Sequence, residues 1–268
     1  MGLSLIFCRF VMNMRKLAIL IAFLVFPAFL PAQEANKNGA KQEPEKDAVN
    51  TESVDRAPYT AAINYTEVDK HALSLSPKYR SIPALAKDLL TPFSNQQQKV
   101  RAIFMWITNN IAYDCSAYHS KKSNRVSFTY TTEAELAEKK EKYYYDYATK
   151  VLQSRKAVCE GYAALFNALC KIAGVSSEVV IGTASNNIER IKKLKDRKNF
   201  STNHTWNRVQ VDGVWYYVDA TWASGYCDVG VKHFFKEFKP YYYITPLDQL
   251  YETHAVNLKI TEHRNQSF

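Results

Sequence analysis

AVCEGYAALFNALCKIAG (157–174) and NHTWNRVQVDGVWYYVDATW (203–222) are the two stretches that decide the reading of this 268-residue chain. In the first, Cys159 precedes Tyr162, Leu165, Phe166, Leu169 and Ala173, apolar positions spaced for one helical face. Gly174 follows as the usual glycine just past a helix end. In the second stretch the period changes to two, and Asp212-Gly213 separates two β-branched and aromatic runs, a strong hairpin signal. A two-residue turn there pairs Val211 with Val214, Trp206 with Asp219 and His204 with Thr221. His204 and Asp219 become diagonal neighbours on one face, their Cβ atoms roughly 7–8 Å apart and within reach of an imidazole–carboxylate hydrogen bond. The opposite face carries Val209, Val211, Val214, Val218 and Ala220, mostly apolar, as a face turned to a core should be.

The chemistry follows from those placements. A thiol at a helix start sits near unsatisfied backbone N–H groups and the positive end of the helix dipole, which stabilise a thiolate. Cys159 is the candidate nucleophile, and His204 the base that takes its proton and returns it to a leaving amine. Asp219 is the acid that orients the ring and stabilises the imidazolium. Backbone N–H groups at Cys159 offer part of an oxyanion hole, and Trp206, Tyr113 and Asn203 are candidates for a second donor. Each residue alone has a bland reading: a small buried hydrophobe, a satisfied strand histidine, a turn-forming aspartate. Their agreement in one hairpin register outweighs those readings. A zinc site from Cys159, His204 and a further Cys or His is the rival, but no Cys-x-x-Cys or His-x-x-x-His spacing supports it.

Upstream, TPFSNQQQKVRAIFMWITNNIAYD (91–114) predicts a helix with a capping box at Ser94 and Gln97. Val100, Ile103, Phe104, Ile107 and Ile111 form its core-facing stripe. Two further helices are expected over TTEAELAEKKEK (131–142) and DYATKVLQSRK (146–156). SSEVVIGTA (176–184) and KPYYYITP (239–246) read as strands, and TPLDQLYETH (245–254) as a short helix capped by Thr245 with Pro246 in its first turn. The clusters Tyr143–Tyr145 and Tyr241–Tyr243 suit strand and core packing better than a carbohydrate platform. Helices first and an antiparallel sheet afterwards make an α+β domain over 61–268. SNNIERIKKLKDRKNFSTN (185–203) interrupts it with six basic residues against two acids. The plain reading is a solvated loop or short helix; the sharper one is an arm that recruits acidic substrates, since it leads directly to His204.

The amino terminus has a basic start at Arg15 and Lys16, an apolar run over 17–30 and a small residue at Ala32. That is the anatomy of a secretory signal peptide over 1–32, cut between Ala32 and Gln33, with 1–13 as an upstream extension. The apolar run is short for a membrane span, and Cys8 precedes it, so Cys8 is not a lipid-bearing first residue. Segment 33–60 is polar, with no aromatic before Tyr59, and reads as a disordered linker. A secreted or periplasmic product is therefore expected. Losing Arg9, Arg15 and Lys16 and no acid lowers the net charge from +9 to +6. That balance serves solubility and also favours acidic or wall-associated partners; nothing reads as a nucleic-acid module. In an oxidising compartment Cys115, Cys159, Cys170 and Cys227 would be expected to form disulfides. Cys159 and Cys170 on one helix lie roughly 16 Å apart, too far to bond. A nucleophilic Cys159 leaves at most one bridge among the others, Cys115 with Cys227 being one such pairing.

AVCEGYA, NHTWNRV and YYVDATW together resemble the nucleophile, base and acid motifs of the transglutaminase-like superfamily. KVRAIFMWITNNIAYD resembles the helix entering that domain. YYYITPLDQLYETH is similar to the carboxyl-terminal element of the branch related to kyphoscoliosis peptidase and the cytokinesis-associated transglutaminase-like proteins. The resemblance runs from about Ile82 to His254. It implies a papain-like α+β core with Cys159, His204 and Asp219 as nucleophile, base and orienting acid. A thioester would form at a carboxamide or peptide bond, completed by an amine in cross-linking or by water in deamidation or proteolysis. Animal transglutaminases need calcium, but no acidic loop here suits it, so no cofactor or metal is expected. The family also contains non-catalytic scaffolds, which makes a silent scaffold or cell-surface binding module the alternative to an enzyme acting on protein or peptide substrates.

Overall fold

A computed structural model describes residues 64–120, 128–195, 197 and 199–265, all within one compact unit, Thr60–Phe268. The signal-type segment and the linker lie outside the described residues. In chain order the elements are α1 (Thr66–Ser74), α2 (Ile82–Leu90), α3 (Gln96–Asn110), β1 (Ala112–Tyr113), α4 (Cys115–His119), α5 (Glu133–Ser154) and β2 (Lys156–Ala157). Then follow α6 (Cys159–Ala173), β3 (Ser177–Ala184), α7 (Ile188–Lys195), β4 (His204–Val211), β5 (Val214–Val218), α8 (Ala220–Ser224), β6 (Gly225–Cys227) and β7 (Phe234–Lys236). A 3-10 turn, Pro240–Tyr242, leads to α9 (Leu247–Leu250), β8 (His254–Val256) and α10 (Leu258–Asn265). The result is an α+β fold: helices packed on a four-stranded antiparallel sheet of order β5-β4-β3-β8.

The central helix is α6, which packs on α5, α3 and β4. Tyr162, Leu165, Phe166 and Leu169 are all essentially removed from water, each worth roughly 1.5–3 kcal/mol of apolar burial. Gly174 closes the helix in the left-handed region at φ 70°. The Tyr162 hydroxyl donates to the Ile111 carbonyl at 2.8 Å, tying α6 to the end of α3. On the sheet side, Asn207 Nδ2 of β4 donates to the Ala163 carbonyl at 3.2 Å. These contacts hold the start of α6 against the sheet.

The hairpin register is the expected one. Val211 pairs with Val214 and Asn207 with Val218, with Asp212 and Gly213 at φ 51° and 83°. Both residues of a type I′ turn need positive φ, which aspartate tolerates and glycine adopts freely. The α3 stripe is also as read, with Val100, Ile103, Phe104, Ile107 and Ile111 fully buried.

Several boundaries differ from the sequence reading. Helix α3 is capped by Asn95, whose Oδ1 accepts from the Gln98 amide at 2.8 Å, and not by Ser94. The two helices expected over 131–156 are one, α5, capped by Thr132. No glycine or proline breaks it, and Lys142 bridges to Asp146 at 3.0 Å across the expected gap. Tyr143–Tyr145 therefore lie on a helix, Tyr143 packing against Tyr144 and Tyr147. Tyr241 and Tyr242 are in a 3-10 turn, not a strand, because Pro240 fixes the turn's first residue. Thr245 does not cap α9; its hydroxyl bonds to the Tyr241 carbonyl. Strand β5 stops at Val218, and Asp219 opens α8.

Strand β8 was not anticipated. It pairs with β3 over only three residues, Gly182 to Ala184. A Cβ on Gly182 would lie 2.0 Å from the Ala255 carbonyl oxygen and 2.6 Å from Trp206 Cη2. Neither backbone nor a buried indole can yield by that much. Gly182→Ala should therefore cost about 3 kcal/mol or more through overpacking, read as a lower urea midpoint. An unchanged midpoint would mean β8 is not docked as described.

Candidate functional site

The start of α6, the end of the β4–β5 hairpin and β8 converge on one buried carboxylate. Asp219 Oδ1 accepts from the backbone N–H groups of Thr221 at 2.8 Å and Trp222 at 3.0 Å, which makes it the N-cap of α8. Its Oδ2 accepts from His204 Nε2 at 2.6 Å and from His254 Nε2 at 3.1 Å. An ionised carboxylate only accepts, so both Nε2 atoms carry hydrogen. The turn-former reading of Asp219 and the imidazole-orienting one both hold, because the two oxygens divide the tasks.

After Asp219, Cys159 is the next group that raises the His204 pKa, so the thiol neighbours the ring. The structure thus brings the three sequence-predicted residues together in the order Cys159, His204, Asp219. Cys159 is the first residue of α6 and is half-buried. Burial works against a charge on His204, but Asp219 first and then Cys159 outweigh it, and its pKa is raised to about 10. Burial alone would raise the Asp219 carboxyl. The His204 charge and the two imidazole hydrogen bonds reverse this and hold it well below the usual carboxylate range.

His254 is the member that sequence reasoning missed. It is fully buried, its Nδ1 lies 2.8 Å from the Thr253 hydroxyl, and its pKa is lowered by burial, which the Asp219 bond only partly offsets. A neutral ring with hydrogen on Nε2 leaves Nδ1 to accept from the Thr253 hydroxyl, whose contact to Nδ1 at 2.8 Å is shorter than its 3.4 Å contact to the Leu250 carbonyl. Trp206 stacks on His204 at 5.7 Å between centroids. Trp206, Trp222 and Tyr242 pack edge-on against His254 at 4.9, 5.0 and 6.0 Å. Only the Thr-His ending of TPLDQLYETH hinted at this residue, and spacing alone could not place it beside a hairpin 35 residues earlier.

A cleft of about 590 Å³ opens over His204, walled by Tyr113, Tyr118, Trp222, Tyr226 and Phe234. Of the proposed oxyanion donors, Asn203 commits its Oδ1 and one Nδ2 hydrogen to the Ala184 backbone, which holds its amide in place. The Trp206 indole N–H is buried away from the cleft, without a hydrogen-bond partner among the described residues. Tyr113 lines the cleft, and its hydroxyl pKa is raised by burial first and then by the neighbouring Cys159, so it stays a donor. The basic insertion forms α7, anchored by buried Ile191, and the flanking Asn186 and Asn203 reach the cleft.

The rival metal reading finds a different set: His204, Asp219 and His254 bring three ligand atoms within 4.8 Å of one another. They do not fit an ion well. Both imidazoles point N–H groups at Oδ2, and Oδ1 is already occupied by the α8 amides. Binding a metal would require deprotonating His204 and breaking both imidazole–Oδ2 hydrogen bonds.

A cysteine opening the central helix, facing a histidine–aspartate hairpin on an antiparallel sheet, is the papain-like arrangement of cysteine-nucleophile folds. The family model for the transglutaminase-like superfamily matches residues 83–220, just over half of the sequence, and the chain belongs to that superfamily. Kyphoscoliosis peptidase of Mus musculus is 31% identical over 163 residues, 60% of this chain and 21% of that protein. The Homo sapiens protein of the same name is 29% identical over 183 residues, 68% and 24% respectively. Hillarin of Drosophila melanogaster is 26% identical over 168 residues, 62% and 18%. The chain spans less than a quarter of the length of each of these relatives.

His254→Phe keeps an aromatic ring in the cage but removes one hydrogen bond from a buried carboxylate. It should cost about 1–3 kcal/mol at neutral pH. Because the folded His254 pKa lies below the ordinary 6.5, wild type loses stability as pH falls through that value and the unfolded chain takes up the proton. The variant has no such loss. Urea titrations from about pH 7 to about pH 5 should show the gap between the two narrowing; a constant gap would put a protonated His254 in the fold.

Proposed function

We propose that this protein is an exported cysteine-nucleophile enzyme that acts on protein or peptide amide bonds through a thioester. The observation that carries the reading is the His204 ring, bonded to Asp219 and neighboured by Cys159 at the start of α6. In this reading Cys159 attacks the carbonyl carbon of a carboxamide as the thiolate, with His204 holding the displaced proton. The tetrahedral oxyanion is received by a backbone N–H at Cys159 and by the Tyr113 hydroxyl. Collapse breaks the C–N bond, His204 gives its proton to the departing nitrogen, and the acyl group remains on sulfur. A primary amine then yields a new amide, or water yields an acid, with His204 as general base.

Lys239, beside the Tyr226 ring at 5.3 Å, and the basic α7 give the approach a positive field suited to acidic substrates. Export rests on the sequence over 1–32 and is checked by a mature amino terminus at Gln33. No helix among the described residues is long and apolar enough to cross a membrane.

A glutamine peptide incubated with a primary amine should gain the amine's mass less ammonia, and Cys159→Ala should abolish the change. Tyr113→Phe should lower kcat about 100-fold with little effect on KM, as loss of one oxyanion donor does. His204 keeps its proton until about pH 10, so turnover should fall as pH rises through that value, when the acid for the leaving amine is lost. Alkylation of Cys159 by iodoacetamide needs no acid and should not fall with it. A silent scaffold would show no thiol labelled in preference to the others and no dependence of labelling on His204.

A further inference from the structure

Two more thiols face each other at the mouth of the cleft. Cys115 is the first residue of α4 and Cys227 the last of β6, and their Sγ atoms are 3.9 Å apart. Both are half-buried free thiols, and Cys227 lines the cleft. Although 112 residues separate them in sequence, the segments that carry them are fastened a second time. His119 Nε2, at the end of α4, lies 2.9 Å from the Gly230 carbonyl and 3.1 Å from that of Val231. Carbonyls only accept, so this nitrogen donates. The loop after β6 is itself fixed by Asp228, whose carboxylate accepts from the Lys232 amide at 2.6 Å and from His233 Nδ1 at 2.8 Å. Backbone on both sides thus holds the sulfurs in register, and a thiol–thiol contact is too weak to have drawn these segments together by itself. Cys170, by contrast, is sealed inside the core.

We propose that Cys115 and Cys227 form a dithiol–disulfide site, oxidised by a low-molecular-weight disulfide such as oxidised glutathione, that ties α4 to the β6–β7 hairpin across the cleft. Burial first, and then the neighbouring Cys115, push the Cys227 thiol up to about 12. The Cys115 thiolate attacks one sulfur of oxidised glutathione and expels one glutathione thiolate. Cys227 then attacks the mixed disulfide at the Cys115 sulfur, forming the Cys115–Cys227 bond and expelling the second glutathione. Two protons leave the protein, and its two electrons reduce one oxidised glutathione to two thiols. Shortening the separation from 3.9 Å to about 2.05 Å draws the walls together beside Tyr113, whose hydroxyl feels Cys159, Cys227 and Cys115 alike.

The site does not depend on the proposed catalysis, so the test uses the full chain both as wild type and as Cys159→Ala. After exposure to oxidised glutathione, Cys159→Ala should lose about 2 Da, and wild type should lose the same alongside the adduct that its reactive Cys159 takes up. Peptide mapping without reduction should then recover Cys115 joined to Cys227. The cross-link closes a long loop, so the oxidised form should melt on the order of 5–10 °C higher than the reduced form. Cys227→Ser should keep the reduced melting temperature and carry a glutathione adduct on Cys115, and Cys115→Ser should keep it and form no cross-link. Stable adducts on wild type without a cross-link, or a cross-link joining Cys159 to either partner, would overturn the proposal. Loss of amide turnover in Cys159→Ala with the cross-link retained would leave it standing.

Discussion

Four hydrogen bonds to one carboxylate organise this molecule. Asp219 terminates β5, starts α8, and receives an imidazole from β4 and another from β8. Two of the bonds come from α8, one from β4 and one from β8, so the carboxylate is where the hairpin, the short helix and the last strand agree on their positions. A buried charge without partners would be prohibitive. Here every lone-pair direction meets a donor, two of them backbone amides whose geometry the helix start fixes. That is why a residue at a strand end, normally the least constrained part of a strand, can orient a ring.

Most of this was legible in the sequence because hairpin register is a local property. Asp-Gly between β-branched runs sets the pairing by itself, and period-two alternation then places His204 and Asp219 on one side. The α6 start was equally readable from its apolar stripe and its terminal glycine. What stayed hidden depends on chain segments that meet from a distance. His254 reaches Asp219 only because Gly182 lets β8 lie close over β3, and a glycine inside a strand does not announce which backbone approaches it. The continuity of α5 and the turn at Tyr241–Tyr242 were misread for a simpler reason. Charge pairs such as Lys142 with Asp146 and a single proline outweigh the propensity of tyrosine for strands.

The two histidines on Asp219 are chemically unlike although they share one oxygen atom. His204 lies nearer, at 2.6 Å, also meets the Cys159 sulfur, and is held in the charged form. His254 meets a hydroxyl and three aromatic rings, and is held neutral. Two positive imidazoles on one carboxylate would repel, so keeping His254 neutral is what lets His204 keep its proton. His254 acts through Asp219 and not on a reacting atom, which makes it a positioning residue. Its Thr253 partner belongs to the same arrangement, because the hydroxyl fixes which ring nitrogen carries the hydrogen.

Energetics bear on the choice between enzyme and scaffold. Replacing a buried ionic cluster by well-packed apolar residues is often neutral or stabilising by about 1–4 kcal/mol. The aromatic cage of Trp206, Trp222 and Tyr242 already supplies the apolar packing such a replacement would extend. A domain retained only for its shape would gain by losing the charge, yet both carboxylate oxygens and three ring nitrogens are matched to partners here. The arrangement has a use when a proton must be held next to a sulfur and then released to a leaving nitrogen. In the proposed chemistry the cost of the buried charge is the cost of keeping His204 charged beside Cys159.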